Sequence, residues 1–218
     1  PLWDLERAKR FVDACADAGV AWVEEPLPMD HYEDLSALTA YSRVPISGGE
    51  LHSSGLPELK MMIERRCYQI FQPDATFTGG IAQTSEVARL CRKHGLLYSP
   101  HTWTNGIGFA INLHLMAASG FAEEKELEYP ISPPGWVVEA RDGILQKPFH
   151  HDQGTLQTPI QPGLGFTIDH RALRKYGQRY FVMDRKRLVW FSLRTRGIKV
   201  SKEIDRVRKD RRARSARA

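Results

Sequence analysis

The chain has only three cysteines in 218 residues, at positions 15, 67 and 91, and no CxxC. This excludes a disulfide scaffold and a zinc knuckle and fits a reducing compartment, so the expected location is the cytoplasm. No apolar run approaches the roughly 18–20 residues of a membrane span, and no cationic-then-apolar leader opens the sequence. GxGxxG, a Walker lysine and GxSxG are also missing, which removes the usual signals of dinucleotide binding, phosphate cradling and acyl transfer. Seventeen glycines and thirteen prolines argue against a purely helical bundle. What is present is an ordinary globular composition, 42% apolar and 26% charged, long enough to bury a sizeable core.

The formal charge of +5 is unevenly spread. Residues 185–218 hold fourteen Lys and Arg against three Asp and Glu, while the preceding 184 hold seventeen against twenty-three. All the excess basicity lies in the tail, and the body is mildly acidic. Basic segments bind phosphate backbones without sequence preference. Here, though, the tail also carries Leu188, Val189, Trp190, Phe191 and Leu193, and then Val200, Ile204 and Val207 at helical spacing. An amphipathic helix that is solvated or packed on a subunit is preferred over nucleic-acid binding, and no membrane partner is expected.

Along the body, short apolar runs alternate with helical patterns. Asp4 caps a helix whose apolar positions are Leu5, Ala8, Val12 and Cys15, ending at Gly19. Val20 to Val23 reads as a strand stopped by Pro26. A weaker helix over 31–42 leads to Val44-Pro45-Ile46-Ser47. Leu56, Leu59 and Ile63 mark the next helix, Tyr68 to Phe71 the next strand, and a helix from about Gly80 ends at Gly95. Leu96-Leu97-Tyr98 is a further strand, and 107–118 a further helix. Strand–helix alternation without polar alternation in the strands predicts βα units around a parallel sheet buried on both faces.

Each strand ends in a polar residue: Glu24, Glu50, Asp74 and His101, at intervals of 26, 24 and 27 residues, with Glu128 another 27 further on. Consecutive strand ends of a βα barrel surround one mouth, so residues in this phase converge. Several carboxylates and one His in one pocket repel each other without a cation, and oxygen donors favour Mg²⁺. An Asp beside a His orients the ring and raises its basicity. Taken singly, each acid reads as a loop residue or helix cap, and His101 as a packed histidine; the shared register is what argues for a site. His52, two residues past Glu50, is a weaker candidate. Gly79-Gly80 reads as a tight turn, and Asn105-Gly106-Ile107-Gly108 offers a thin phosphate-loop signal for a different Mg²⁺-dependent barrel enzyme.

Trp22-Val23-Glu24-Glu25-Pro26, Gly48-Gly49-Glu50, Gln72-Pro73-Asp74 and Ser99-Pro100-His101 together resemble the barrel domain of the enolase superfamily, in its mandelate racemase-like subgroup, from residue 1 to about 180. The resemblance implies an α/β fold: part of a (β/α)8, TIM-like barrel, strands four to eight, with a C-terminal return segment and the basic tail. The corresponding divisions are 1–132, 133–184 and 185–218. It implies that Glu24 and Glu50 bind Mg²⁺, that Asp74 and His101 form a dyad moving a proton alpha to a carboxylate, and that Glu128 hydrogen-bonds the substrate carboxylate as it becomes an enediolate.

His101-Thr102-Trp103 and Pro133-Pro134-Gly135-Trp136 are most similar to the acid-sugar dehydratases, with racemases and epimerases as the alternative. The implied partner is a small hydroxy-carboxylate, and the full-length form is expected to be a homo-oligomer. The family's third metal ligand, its second-strand lysine and its capping domain have no counterpart here. The chain, which opens on Pro1, is therefore expected to be part of a longer protein and to have negligible activity alone. Residues 137–145 read as a hairpin turning at Arg141-Asp142-Gly143, and Asp169 and Leu173 as a short terminal helix.

Overall fold

The computed structural model describes residues 3–131, 137–178 and 184–215. The expected alternation is present as α1 (Leu5–Asp17), β1 (Val23–Glu24), α2 (Tyr32–Tyr41), β2 (Ile46–Gly48), α3 (Leu56–Glu64), β3 (Ile70–Phe71), α4 (Ala75–Thr78), α5 (Ile81–Lys93), β4 (Leu97–Tyr98) and α6 (Gly106–Ser119). After these come α7 (Val138–Asp142), α8 (His170–Tyr176) and α9 (Arg185–Ser215). The strands form one parallel sheet in the order β1-β2-β3-β4, so the fold is α/β.

Local chemistry sets the elements. The Asp4 carboxylate accepts the Arg7 amide at 2.8 Å, capping α1, and Ala8 and Val12 turn its apolar stripe inward. The strands are short because the ladder is: Glu24 is opposite Ser47, Gly48 opposite Phe71, and Phe71 opposite Tyr98. Val20 and Trp22, expected within the first strand, lie before the ladder and are exposed. Ile46, Ser47, Phe71 and Tyr98 are fully buried, as strands covered on both faces require. Leu35, Leu38, Leu59, Met62, Ile63 and Val87 form the helix-side core. Cys67 and Cys91 are buried in this core, where desolvation pushes their thiols up to about 11 and about 12, while Cys15 is only partly covered.

Gly48 is placed by packing. A Cβ there would lie 2.6 Å from Cζ of Tyr68, a fully buried ring stacked edge-on against Phe71. Gly79 and Gly80 adopt φ of 109° and 95° between α4 and α5, the tight turn expected.

Two expectations are corrected. The fifth strand, leading to Glu128, does not form. Instead Ser99 Oγ donates to the Glu126 carbonyl at 2.7 Å, so side chains rather than a backbone ladder hold that segment beside β4. Lys125 Nζ lies 4.6 Å from the Trp22 ring centroid, which also brings the segment to the β1 side. Residues 137–145 are not a hairpin: Val138–Asp142 is helical, and Leu145 pairs antiparallel with Ile168. Arg141, read as part of the hairpin turn, is buried. It stacks over Tyr129, donates to the Pro130 carbonyl and pairs with Asp142, and these partners draw the segment inward. The tail helix is broken at Gly197, whose φ of 75° is open to glycine but not to a helical residue.

By its internal packing the chain divides into two units, Pro1–Tyr176 and Gly177–Ala218. Asp169 caps α8, its carboxylate accepting the Arg171 and Ala172 amides. Pro133-Pro134-Gly135-Trp136 lies outside the described residues. No helix among them is long and apolar enough to cross a membrane.

Candidate active site

The ends of the four strands open on one side of the sheet. Asp74 follows β3 and caps α4, with Oδ1 accepting the Thr76 amide and hydroxyl, both at 2.8 Å. Its other oxygen, Oδ2, lies 3.0 Å from His101 Nδ1. His101 follows β4, and its Nε2 lies 3.2 Å from Glu50 Oε2, beyond the end of β2. Glu24 ends β1 and receives a hydrogen bond from Gln72. Glu128 accepts the Thr102 amide at 2.7 Å through Oε2, next in sequence to His101. Glu24, Glu50, Asp74, His101 and Glu128 therefore come together, with Glu128 held on a loop.

Burial and charge separate the two sides of this group. Asp74 is fully enclosed, and burial alone would raise its pKa. The bonds from His101, Thr76 and Asn112 outweigh this and hold it below the usual carboxylate range. Burial pulls the His101 pKa down, but the Asp74 bond and the negative charges of Glu50 and Glu128 outweigh it and leave the ring above its ordinary value. Glu50 is raised by burial, then by Glu25, Glu24 and Glu128, with His101 opposing. Glu24 is exposed at the mouth, yet the protein enclosing that mouth raises it first. Glu128 and Glu25 add to the shift, and Gln72 and His101 oppose it.

Two neighbouring carboxylates that resist ionising together are hard oxygen donors whose repulsion a divalent cation relieves. The residues present fit such an ion as two of its ligands. Among the described residues, no group of three or more His, Cys, Asp or Glu is arranged to hold a metal.

A profile described as "Enolase C-terminal domain-like" matches residues 2–172. The chain belongs to this enolase family. Among curated proteins, it is 28% identical over 171 residues to the D-galactarolactone cycloisomerase of Agrobacterium fabrum, covering 75% of this chain and 44% of that one. It is 31% identical over 182 residues to the arabinonate dehydratase of Saccharolobus solfataricus, covering 80% and 45%. Among solved structures, it superposes with a TM-score of 0.65 and 27% identity on the L-talarate/galactarate dehydratase of Salmonella typhimurium, liganded with Mg and L-lyxarohydroxamate, covering 79% of this chain and 40% of that one. The enolase-type chain thus spans less than half the length of these relatives.

Several residues around this group have no role in the sequence reading. Asn112, fully buried on α6, donates Nδ2 to Asp74 Oδ1 at 2.9 Å and to the His101 carbonyl at 2.8 Å, and its Oδ1 accepts the Ala75 amide at 3.2 Å. Its only trace in the sequence is a single amide between Ile111 and Leu113 in an apolar run. Glu25 adopts φ 41°, uncommon for a non-glycine residue, and accepts the Gly49 amide at 3.3 Å, linking the ends of β1 and β2. Thr102 also donates its hydroxyl to the Glu128 carbonyl.

Two weaker candidates resolve otherwise. The His52 ring bonds Glu58 of α3 at 2.8 Å, and Glu58 also accepts the Tyr32 hydroxyl, which ties His52 to the helix layer. The Asn105 side chain accepts the Ile107 and Gly108 amides, so that glycine-containing turn is already capped.

Proposed function

We propose that this centre abstracts the proton alpha to the carboxylate of a small hydroxy-carboxylate, and that the reaction is dehydration of an acid sugar. The observation that carries the proposal is the Asp74–His101 pair, whose imidazole turns Nε2 toward the Glu50 carboxylate at 3.2 Å. The four strands correspond, on this proposal, to strands four to seven of an eight-stranded barrel.

Asp74, kept ionised by its hydrogen bonds, accepts a hydrogen bond from Nδ1–H and fixes the ring, so that Nε2 is the nitrogen that accepts a proton. A carboxylate's alpha-proton is far too weakly acidic for an imidazole unless the charge developing on the substrate is balanced. Mg²⁺ held by Glu24 and Glu50 would supply that balancing charge at the substrate carboxylate. Glu128, aimed by the Thr102 amide, donates a hydrogen bond to the same substrate group when protonated. The alpha C–H proton goes to His101 Nε2, the C–H electrons form the enediolate, and the beta C–O bond breaks as the leaving hydroxyl takes that proton from His101 and departs as water, which returns the ring to its neutral form. Tautomerisation of the resulting enol gives the keto acid. The dehydratases among the relatives support this outcome over racemisation.

Turnover by this chain is expected to be slow, so the test reads isotope exchange, which accumulates over days. The chain is incubated with Mg²⁺ and a panel of aldonates and aldarates in D₂O and followed by proton NMR. Loss of the alpha-proton signal together with a keto product, both abolished in His101→Asn, is the expected result. Exchange with inversion and no keto product would replace dehydration by racemisation, and equal exchange in both proteins would end the proposal.

A further inference from the structure

Residues 185–215 form a basic helical hairpin with an uncovered apolar surface, remote in sequence from the catalytic residues. The legs on either side of Gly197 meet at Ser192 and Ser201, whose hydroxyls are 2.9 Å apart, and Asp205 on the second leg feels the charge of Arg185 on the first. Ser192, Ser201 and Ile204 are the half-covered positions between Arg185 and Lys209; all the others are exposed.

The exposed residues combine two chemistries. Leu188, Val189, Trp190, Phe191, Leu193, Ile198, Val200 and Val207 are all exposed, with Trp190 at 65%, Ile198 at 62% and Phe191 at 55%. Interleaved with them are Arg185, Lys186, Arg187, Arg194, Arg196, Lys199, Lys202, Arg206, Arg208 and Lys209, all exposed, against Glu203 and Asp205. Exposed apolar surface on this scale marks an interaction site, and the charge selects the occupant. A second copy of the hairpin would bring a second excess of positive charge against the first. A nucleic acid would satisfy the cations but leave Leu188, Val189, Ile198 and Val200 in water. An anionic lipid surface accepts both, with headgroups pairing the cations and the acyl boundary taking the Trp, Phe and aliphatic side chains. No span is needed, since such a segment lies in the interface.

We propose that the C-terminal hairpin is a peripheral anchor for anionic membrane surfaces. The test is co-sedimentation of the 218-residue chain with phosphatidylcholine vesicles and with vesicles containing 30% phosphatidylglycerol, across a salt series. The expected result is binding to the anionic vesicles alone, weakening as salt rises. Lys199→Gln with Lys202→Gln should lower the partition coefficient by roughly 25-fold, about fivefold for each cation removed. Trp190→Glu should lower it with circular dichroism unchanged, and should also remove any blue shift in tryptophan emission caused by vesicles. Equal binding to neutral vesicles, or a partition coefficient indifferent to both variants, would overturn the proposal. So would duplex DNA binding or self-association through the hairpin without vesicle binding.

Discussion

Replacing Asn112 with Ala tests whether the dyad is held by its surroundings or merely placed among them. The side chain is fully buried and makes three hydrogen bonds: to the Ala75 amide, the His101 carbonyl and the Asp74 carboxylate. A neutral hydrogen bond contributes about 1 kcal/mol and one to a charged group about 1.5–3. The expected loss of stability is therefore about 3–5 kcal/mol, read as a shift in the urea midpoint by circular dichroism at unchanged slope. Isotope exchange should fall as well, by on the order of 100-fold, because the Asp74 oxygen that does not bond His101 loses a donor and the ring loses its carbonyl anchor. Asn112→Asp sharpens the test. At neutral pH it sets a like charge beside Asp74 and should be at least as damaging. Near pH 4, where the introduced carboxyl protonates and can donate, part of the stability should return. A midpoint shift equivalent to less than about 1 kcal/mol for Asn112→Ala would refute the reasoning.

Thermal stability is expected to be highest at mildly acidic pH. Glu24 and Glu50 have raised pKa values, so their ionised forms weigh against the fold, and that penalty lifts as pH falls through their folded values. His101, raised above 6.5, contributes stability that is complete below 6.5 and lost as pH rises through its folded value; Asp74 contributes stability that goes only when pH falls below 3.8 and through its lowered value. A melting temperature that is flat from pH 5 to 8.5 would contradict this, as would Mg²⁺ stabilising no more at pH 8 than at pH 5. Thr102→Val keeps the amide bond to Glu128 but removes the hydroxyl bond to its carbonyl; it should cost about 1 kcal/mol in urea titration and slow exchange. Gly48→Ala drives a methyl into the buried Tyr68 ring and should cost about 1–3 kcal/mol; a change below about 0.5 would show that the strand yields.

The α/β alternation and the convergence of strand ends were legible because both depend on local rules: the apolar runs, Pro26, Gly19 and Gly95 punctuate the chain, and side chains one βα unit apart share a phase. Glu128 was found by that phase although its strand does not form, since Ser99 and Thr102 hold the segment in place of a ladder. Contacts between distant segments were not legible. Arg141-Asp142-Gly143 has good turn chemistry, yet the long-range partners Tyr129 and Pro130 take the Arg141 side chain. Asn112 left no periodic signal because one polar residue in a helix usually faces water; this one faces Asp74. The helical spacing of Val200, Ile204 and Val207 was readable, but not the break at Gly197, since an isolated glycine is tolerated within a helix.

The three thiols give the chain a ready-made chemical handle. Cys67 and Cys91 are shut inside the core with their thiolates suppressed, and Cys15 on α1 is the partly exposed thiol, so a maleimide should label Cys15 alone in the folded chain. One dye or spin label per molecule can then be installed without removing any cysteine, at the edge of the core that Cys15 packs against. Stoichiometry rising from one to three during labelling would in turn report the moment at which the core opens.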